Sequence, residues 1–234
     1  MNLVNPYRFA AGGGGDPDFA SVVLLVHMNG TNGGTTFTDS SSSVKTLTSG
    51  GNAQTSTAQS IFNGSSGLFD GSGDAVTAAD SADFTLDGDF TIEGFFRPTT
   101  TSGARDVFSK RQAAAWVLLY LSSGTVYVYM SSNNASWNIA SGVNLGAVST
   151  GTWYYFAIKR SGSTITAHLG TSGSTSTVSV ATSTATFDSS QVLSMGGNFT
   201  NGAEWFNGHL CEFRITNGVA RDVSTVPTSS FPDS

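Results

Sequence analysis

Three acidic residues around Phe90 form the arrangement in this sequence that comes nearest to bond-breaking chemistry. Asp87, Asp89 and Glu93 would put two carboxylates, Asp89 and Glu93, on one face of a strand. Glycoside hydrolysis requires such a pair, about 5–5.5 Å apart for retention or about 6.5–9.5 Å for inversion. Asp89 falls at the strand entry, however, and no third acid follows Glu93. The pattern therefore reads better as a polar strand start, with Glu93 paired to Arg97. No Gly-x-Ser-x-Gly elbow, Walker loop, Cys-x-x-Cys pair or His-Glu-x-x-His helix occurs, so other hydrolytic and nucleotide chemistries lack their residues. His27, His168 and His209 stand in separate strands without an adjacent acid and are expected to be structural or surface residues.

Recognition has better support than catalysis. Carbohydrate binding needs exposed aromatic rings beside amides, and two loop-like stretches supply them: 132–137, with Asn134 and Trp137, and 198–205, with Asn198 and Trp205. These four are the candidate ligand residues. Against them stands the general tendency of tryptophan to serve the core.

Composition narrows the classes further. Charged residues make up 11% of the 234 positions and the formal net charge is -6. No basic surface is available to neutralise phosphates, so no nucleic-acid partner is expected. The longest apolar runs, such as Val22–Val26, are far too short to span a bilayer, and no membrane insertion is expected. Cys211 is the single cysteine, which excludes an internal disulfide framework; in an apolar-alternating run it reads as a small core residue. The opening residues show no basic n-region, apolar h-region or small-residue cleavage site, so no secretory signal is read there. An extracellular role would then need another route, such as assembly inside a cell followed by lysis.

The elements that position these residues are strands. Gly, Ser and Thr are abundant, and helix formers never accumulate at helical spacing. Apolar runs are expected as strands at 22–28, 66–70, 74–78, 90–97, 116–121, 125–130, 153–160, 164–169, 176–182, 192–195 and 205–216, with a strand-like piece at 35–38. Ser122-Ser123-Gly124 and Ser161-Gly162-Ser163 mark hairpins. On 153–160, Tyr154, Phe156 and Ile158 share one face, while Tyr155, Ala157 and Lys159 share the other. A dozen short strands at this spacing predict an all-β, two-sheet antiparallel jelly-roll sandwich over 19–234. Residues 1–18 differ. An apolar and aromatic plug from Leu3 to Phe9, interrupted by Pro6, precedes four consecutive glycines at 12–15. A sticky segment on a flexible tether reads as a short extended N-terminal anchoring arm, with Pro6, Tyr7 and Phe9 as its contact residues.

The run Trp205 to Arg221 (WFNGHLCEFRITNGVAR) closely resembles the C-terminal signature of laminin-G-like, concanavalin A-like jelly rolls. Further motifs follow in the family's order: Val23–Gly30, Thr36–Ser41, Phe69–Asp74, Ala79–Phe84, Asp89–Pro98 with Phe95 where tryptophan is usual, and Thr152–Ser163. Together they cover about residues 22–233. The resemblance implies that calcium is the cofactor to look for, held at a loop rim by Asp39 and by Asp70 or Asp74; the residues themselves require no cofactor. Two departures remove charge from such sites: Cys211 stands where the family has aspartate, and Asn29 replaces another acid. Similar domains are frequent in phage tail, appendage and capsid-decoration proteins, and Asn5-Pro6-Tyr7-Arg8-Phe9 looks like the N-termini of tailed-phage virion proteins. The expectation is a non-enzymatic phage virion structural protein, a capsid decoration or tail appendage assembled in the host cytoplasm. It would bind other virion proteins through the arm, carry a glycan-binding surface for cell-surface glycans, and form homo-oligomers through the arm or a sheet edge. The alternative is a lectin module for host or polysaccharide recognition, and the third reading is a glycoside hydrolase.

Overall fold

Apolar–polar alternation punctuated by Gly and Ser leaves the chain little choice but short strands and tight turns. The computed structural model describes residues 15–111, 113, 114 and 116–234; the arm residues Pro6, Tyr7 and Phe9 lie outside the described residues. Among those described, the strands are β1 (Val22–Val26), β2 (Leu47–Gly50), β3 (Gln54–Ser56), β4 (Ser66–Asp70), β5 (Ala75–Ala78), β6 (Phe90–Pro98), β7 (Ala104–Ser109), β8 (Trp116–Ser122), β9 (Thr125–Ser131), β10 (Ala140–Ala147), β11 (Tyr154–Ser161), β12 (Thr164–Gly170), β13 (Ser176–Thr182), β14 (Leu193–Met195) and β15 (Asn207–Asn217). Helix is confined, among the described residues, to two 3-10 turns, Phe19–Ser21 and Ala82–Phe84. None of it is long and apolar enough to cross a membrane.

All pairing is antiparallel, in two sheets. One runs β13-β12-β11-β6-β15-β4-β3, with β1 also on β15; the other runs β10-β9-β8-β7-β14-β5-β2. Insertion of β15 between β6 and β4, and of β14 between β7 and β5, makes the order non-sequential, as a jelly-roll sandwich requires. The expected strand-like piece at 35–38 joins neither sheet. Its successor Asp39 instead binds the Leu25 amide through Oδ1 at 2.9 Å, and Ser40 donates to the Leu25 carbonyl at 2.8 Å. A side-chain acceptor thus replaces the ladder that this segment would have needed.

The inner faces interlock through aromatics. Phe108 of β7 stacks on Phe156 of β11 (5.6 Å, 22°) and meets Phe213 of β15 (5.2 Å) and Trp116 of β8 (6.5 Å) edge-on. The Trp116 indole N–H donates to the Phe84 carbonyl at 2.8 Å, so the one polar atom of this ring is satisfied inside the core.

A second apolar layer covers the outer face of the β11-β6-β15 sheet. Tyr155, Ala157, Phe95, Leu25 and Cys211 pack beneath Val223, Val226 and Phe231 of the C-terminal segment. This explains why 153–160 is apolar on both faces. Cys211 is fully buried, and burial pushes its thiol up to about 12, in keeping with a packing residue. The segment just before the sandwich is tied to the same layer: the Asp16 amide donates to the Ser234 carbonyl at 2.7 Å, and its carboxylate meets Arg214 and Arg221. Residues 15–18, read in the sequence as the end of the tether, are therefore bound to the sandwich.

β15 carries a bulge at its centre. Cys211 pairs with Phe95 and Arg214 with Glu93, leaving two residues, Glu212 and Phe213, against Gly94 alone. Glu212 adopts the left-handed region at φ 54°. A Cβ on Gly94 would lie 3.1 Å from the Glu212 carbonyl oxygen, so a side chain opposite the bulge would have to push that carbonyl aside. The turned-out Glu212 carboxylate then accepts from the Phe231 amide at 3.0 Å, from Asn63 Nδ2 at 3.1 Å and bonds His27 Nδ1 at 2.8 Å.

Candidate functional site

β8 and β9 send alternate residues to opposite sides. Val117, Leu119, Leu121, Val126, Val128 and Met130 enter the core. Leu118, Tyr120, Tyr127 and Tyr129 take the other face, where register sets Leu118 opposite Tyr129 and Tyr120 opposite Tyr127. The Tyr120 and Tyr129 rings meet edge-on at 5.8 Å, and Trp137 leans on Tyr129 at 5.2 Å. Trp137 arrives from the loop after β9, whose shape Asn133 fixes: its Oδ1 accepts from the Ala135 and Ser136 amides at 3.0 Å and from the Ser131 hydroxyl at 3.1 Å. A short side chain acting as a local acceptor is what makes such a turn rigid.

The opposite wall comes from two other loops. Arg111 follows β7 and Glu204 precedes β15. With Leu118, Tyr120, Tyr129 and Trp137 they line a cleft of about 170 Å³. That is small beside the roughly 300–1,000 Å³ of sites for drug-sized ligands, so it accepts one ring-sized group and leaves the rest of a longer ligand outside.

Charge is concentrated in the floor. Arg111 Nε and Nη2 bond the two oxygens of Asp106 at 3.2 and 3.1 Å, and Nη2 also bonds Glu204 Oε2. Asp106 is fully buried, and burial pushes its carboxyl up to about 7 even with Arg111 beside it. Glu204 sits in the left-handed region at φ 56°, held there by the Asp106 amide, which donates to its carbonyl at 2.7 Å. Non-glycine residues adopt this region at a cost, and such costs gather at binding sites. Asn198 Nδ2 reaches Glu204 Oε2 at 3.4 Å. Burial first, then the Glu204 and Asp106 charges, push the Tyr120 phenol up, so it stays a neutral donor at physiological pH.

The two loops singled out in the sequence converge here, through some of the expected residues only. Trp137 lines the cleft. Asn198 is buried and works from behind, its backbone paired with Ala203 at 3.0 and 3.3 Å and its side chain on Glu204. Trp205 follows Glu204 but packs over Gly197, where an added Cβ would lie 2.3 Å from the ring, and its carbonyl accepts from Arg105 Nη1 at 2.7 Å. Asn134 is exposed at φ 56° and outside the lining. Arg111, Tyr120, Tyr129 and Glu204 were not anticipated. The outward tyrosines on two adjacent alternating strands were the signal present for half of them.

The other candidates lie elsewhere. Both Asp39 oxygens are occupied: Oδ1 by the Leu25 and Ser41 amides at 2.9 Å, Oδ2 by the Ser41 hydroxyl at 3.0 Å and the Lys45 amide at 2.7 Å. Asp74, buried, accepts from the Asn52 and Asp70 amides at 2.7 and 2.8 Å, and Asp70 from the Ser72 amide at 2.7 Å. These three organise turns, and among the described residues no group of three or more His, Cys, Asp or Glu could hold a metal ion. Glu93 is buried and bonds Arg214 (Nε 3.1 Å, Nη2 2.8 Å) and the Tyr155 hydroxyl (2.6 Å), so its partner is Arg214 across the sheet and not Arg97. Asp89 accepts from the Gly162 amide at 2.7 Å, as a polar strand start. In the cleft only Glu204 reaches the surface as a carboxylate, since Asp106 is sealed beneath Arg111; hydrolysis by a carboxylate pair needs both acids at the bond.

A family model described as the concanavalin A-like lectin/glucanases superfamily matches residues 70–224, a span that contains the whole cleft. The chain belongs to this superfamily. Among solved structures, this concanavalin A-like domain is similar to the binding domain of Paraclostridial Mosquitocidal Protein 1, with a TM-score of 0.66 at 12% identity over 87% of this chain and 50% of that one. It is similar to a structure of botulinum neurotoxin type C whose cell entry is described as dependent upon interaction with two ganglioside molecules (TM-score 0.60, 11% identity, 87% and 49% coverage). It is also similar to the binding domain of botulinum neurotoxin DC in complex with rat synaptotagmin II (TM-score 0.60, 12% identity, 92% and 50% coverage). The chain spans about half the length of these structures, and the likeness is one of fold. No curated protein matches the sequence.

Proposed function

We propose that this chain is a non-enzymatic carbohydrate-binding module that holds the end of a glycan in the cleft between Trp137 and Glu204. The observation that carries the reading is three aromatic side chains and an acid–base pair converging on one ring-sized space. Aromatic faces attract the polarised C–H face of a sugar ring, and a half-buried carboxylate such as that of Glu204 accepts strong hydrogen bonds from sugar hydroxyls. Membership of a lectin/glucanase superfamily supports it. On a glycan array, Trp137→Ala is expected to lose about 2 kcal/mol or more of binding free energy, roughly 30-fold in affinity, as aromatic anchors of small sites do. An unchanged array profile with intact folding would sink this assignment.

The mounting we propose is a phage virion, as capsid decoration or tail appendage, with Pro6, Tyr7 and Phe9 seating the arm on a neighbouring virion protein. Support comes from the sequence, in the Asn5–Phe9 resemblance and the glycine tether. Removing residues 1–14 is expected to abolish incorporation while leaving glycan binding intact. Particles that carry the shortened chain at the normal level would rule out the arm.

A further inference from the structure

We propose that the cleft selects by charge, taking the uncharged end of a glycan and rejecting one that bears a carboxylate or sulfate. The inference rests on the glycan-binding reading and adds its ligand class.

Among the described lining residues Arg111 is the one cation, and its guanidinium is committed. Nε and Nη2 are bound to Asp106, Nη2 also to Glu204, and Nη1 lies 3.5 Å from the Ala113 carbonyl. Two carboxylates therefore face one guanidinium, so its charge is already offset and a further anion meets a cluster of net negative charge. Glu204 remains 27% exposed, and its Oε1 accepts no hydrogen bond from the described residues. The phenol oxygens of Tyr120 and Tyr129 and the Trp137 indole nitrogen are likewise without a protein partner among them.

The set thus offers one strong acceptor, two amphoteric hydroxyls and one N–H donor. A neutral sugar, whose hydroxyls donate and accept, satisfies all of them. A carboxylate or sulfate on the sugar brings only acceptors to the position of Glu204 and adds like-charge repulsion, the usual device by which a site excludes a wrong ligand. Asp106, pushed up to about 7 by burial, leaves the cluster most negative above neutrality. Exclusion is therefore strongest on the alkaline side.

The test is equilibrium binding above neutral pH to an array of matched pairs, including lactose with sialyllactose and cello-oligosaccharides with their glucuronate counterparts. The neutral member of each bound pair is expected to win by about tenfold or more, the discrimination that one like-charge contact supplies. Glu204→Gln keeps an acceptor oxygen in place without its charge and is expected to shrink that preference to within about threefold. Tighter binding of the carboxylated members overturns the inference and leaves the glycan-binding reading standing. No binding to either class overturns both. A preference that survives Glu204→Gln, in a variant with a native circular dichroism spectrum, overturns Glu204 as its source and the inference with it.

Discussion

Replacing Arg214 by alanine is expected to destabilise the sandwich by about 3–5 kcal/mol, the usual cost of stranding one half of a buried ion pair. Arg214 is 6% exposed. Its Nε and Nη2 bond Glu93 Oε1 at 3.1 and 2.8 Å, its Nη1 bonds Asp16 Oδ2 at 3.0 Å, and its guanidinium lies 4.0 Å from the centre of the Phe231 ring. Truncation leaves Glu93, itself buried, with the Tyr155 hydroxyl and an Arg221 nitrogen at 4.0 Å. It also unseats Phe231, the last aromatic of the segment that closes the outer layer. Urea unfolding reads the loss as a lowered midpoint at unchanged slope; a loss below about 1 kcal/mol would show that the network is dispensable. Arg214→Met, which keeps most of the volume, separates lost charge from lost packing.

The same network sets an acid limb. Burial opposes the charge on Asp16, but hydrogen bonds from Arg221 and the Asp18 amide, with the charges of Arg221 and Arg214, hold its carboxyl below its ordinary 3.8. A carboxyl lowered on folding contributes stability above that ordinary value and loses it as pH falls through the folded one. The Arg214 variants should show a shallower loss across that range.

The second large effect falls in the core. Phe108→Ala is expected to cost about 3–5 kcal/mol, because the transfer term is joined by a cavity that its neighbours cannot fill. The ring from β7 stacks on Phe156 and abuts Phe213, both of the opposite sheet, and touches Trp116 on its own sheet. These partners are themselves pinned: Trp116 by its bond to the Phe84 carbonyl, and Phe213 by the bulge in β15. In a domain of this size the thermal midpoint should drop by about 2–4 °C for each kcal/mol. Phe108→Leu, which leaves most of the space filled, should cost appreciably less. Equal losses for the two variants would mean that stacking geometry outweighs volume here.

Strands were legible wherever alternation was strong and the turn chemistry explicit. Ser122-Ser123-Gly124 and Ser161-Gly162-Ser163 join β8 to β9 and β11 to β12, and 176–182 is β13 without adjustment. β2, β3, β7 and β10 fall outside the expected strands, the last two for different reasons. Arg105-Asp106 puts two charged residues near the start of β7, Arg105 binding the Trp205 carbonyl and Asp106 the Arg111 guanidinium. β10 contains Gly142, Asn144 and Gly146, and its register shifts twice against β9. The site was half legible. Trp137 and the Asn198 loop stand out as aromatics and amides in turns, but nothing local ties Arg111 to Glu204, 93 positions on. That pairing exists only because β14 inserts beside β7 and brings the loop after it back over the sheet. The sequence pairs Glu93 with Arg97 on the same strand for a similar reason: its partner in the structure, Arg214, lies 121 positions away and is visible only once β15 is placed against β6.

Nuclear magnetic resonance mapping of the uniformly labelled chain, titrated with an oligosaccharide that the array identifies as bound, tests the central claim most directly. The glycan-binding reading predicts that the Trp137 indole resonance and the amides around Tyr120, Tyr129 and Glu204 shift together, with one dissociation constant. Trp116, sealed in the core, should stay still. Shifts confined to the turns at Asp39 and Asp74, or a still Trp137 at saturating sugar, would contradict it.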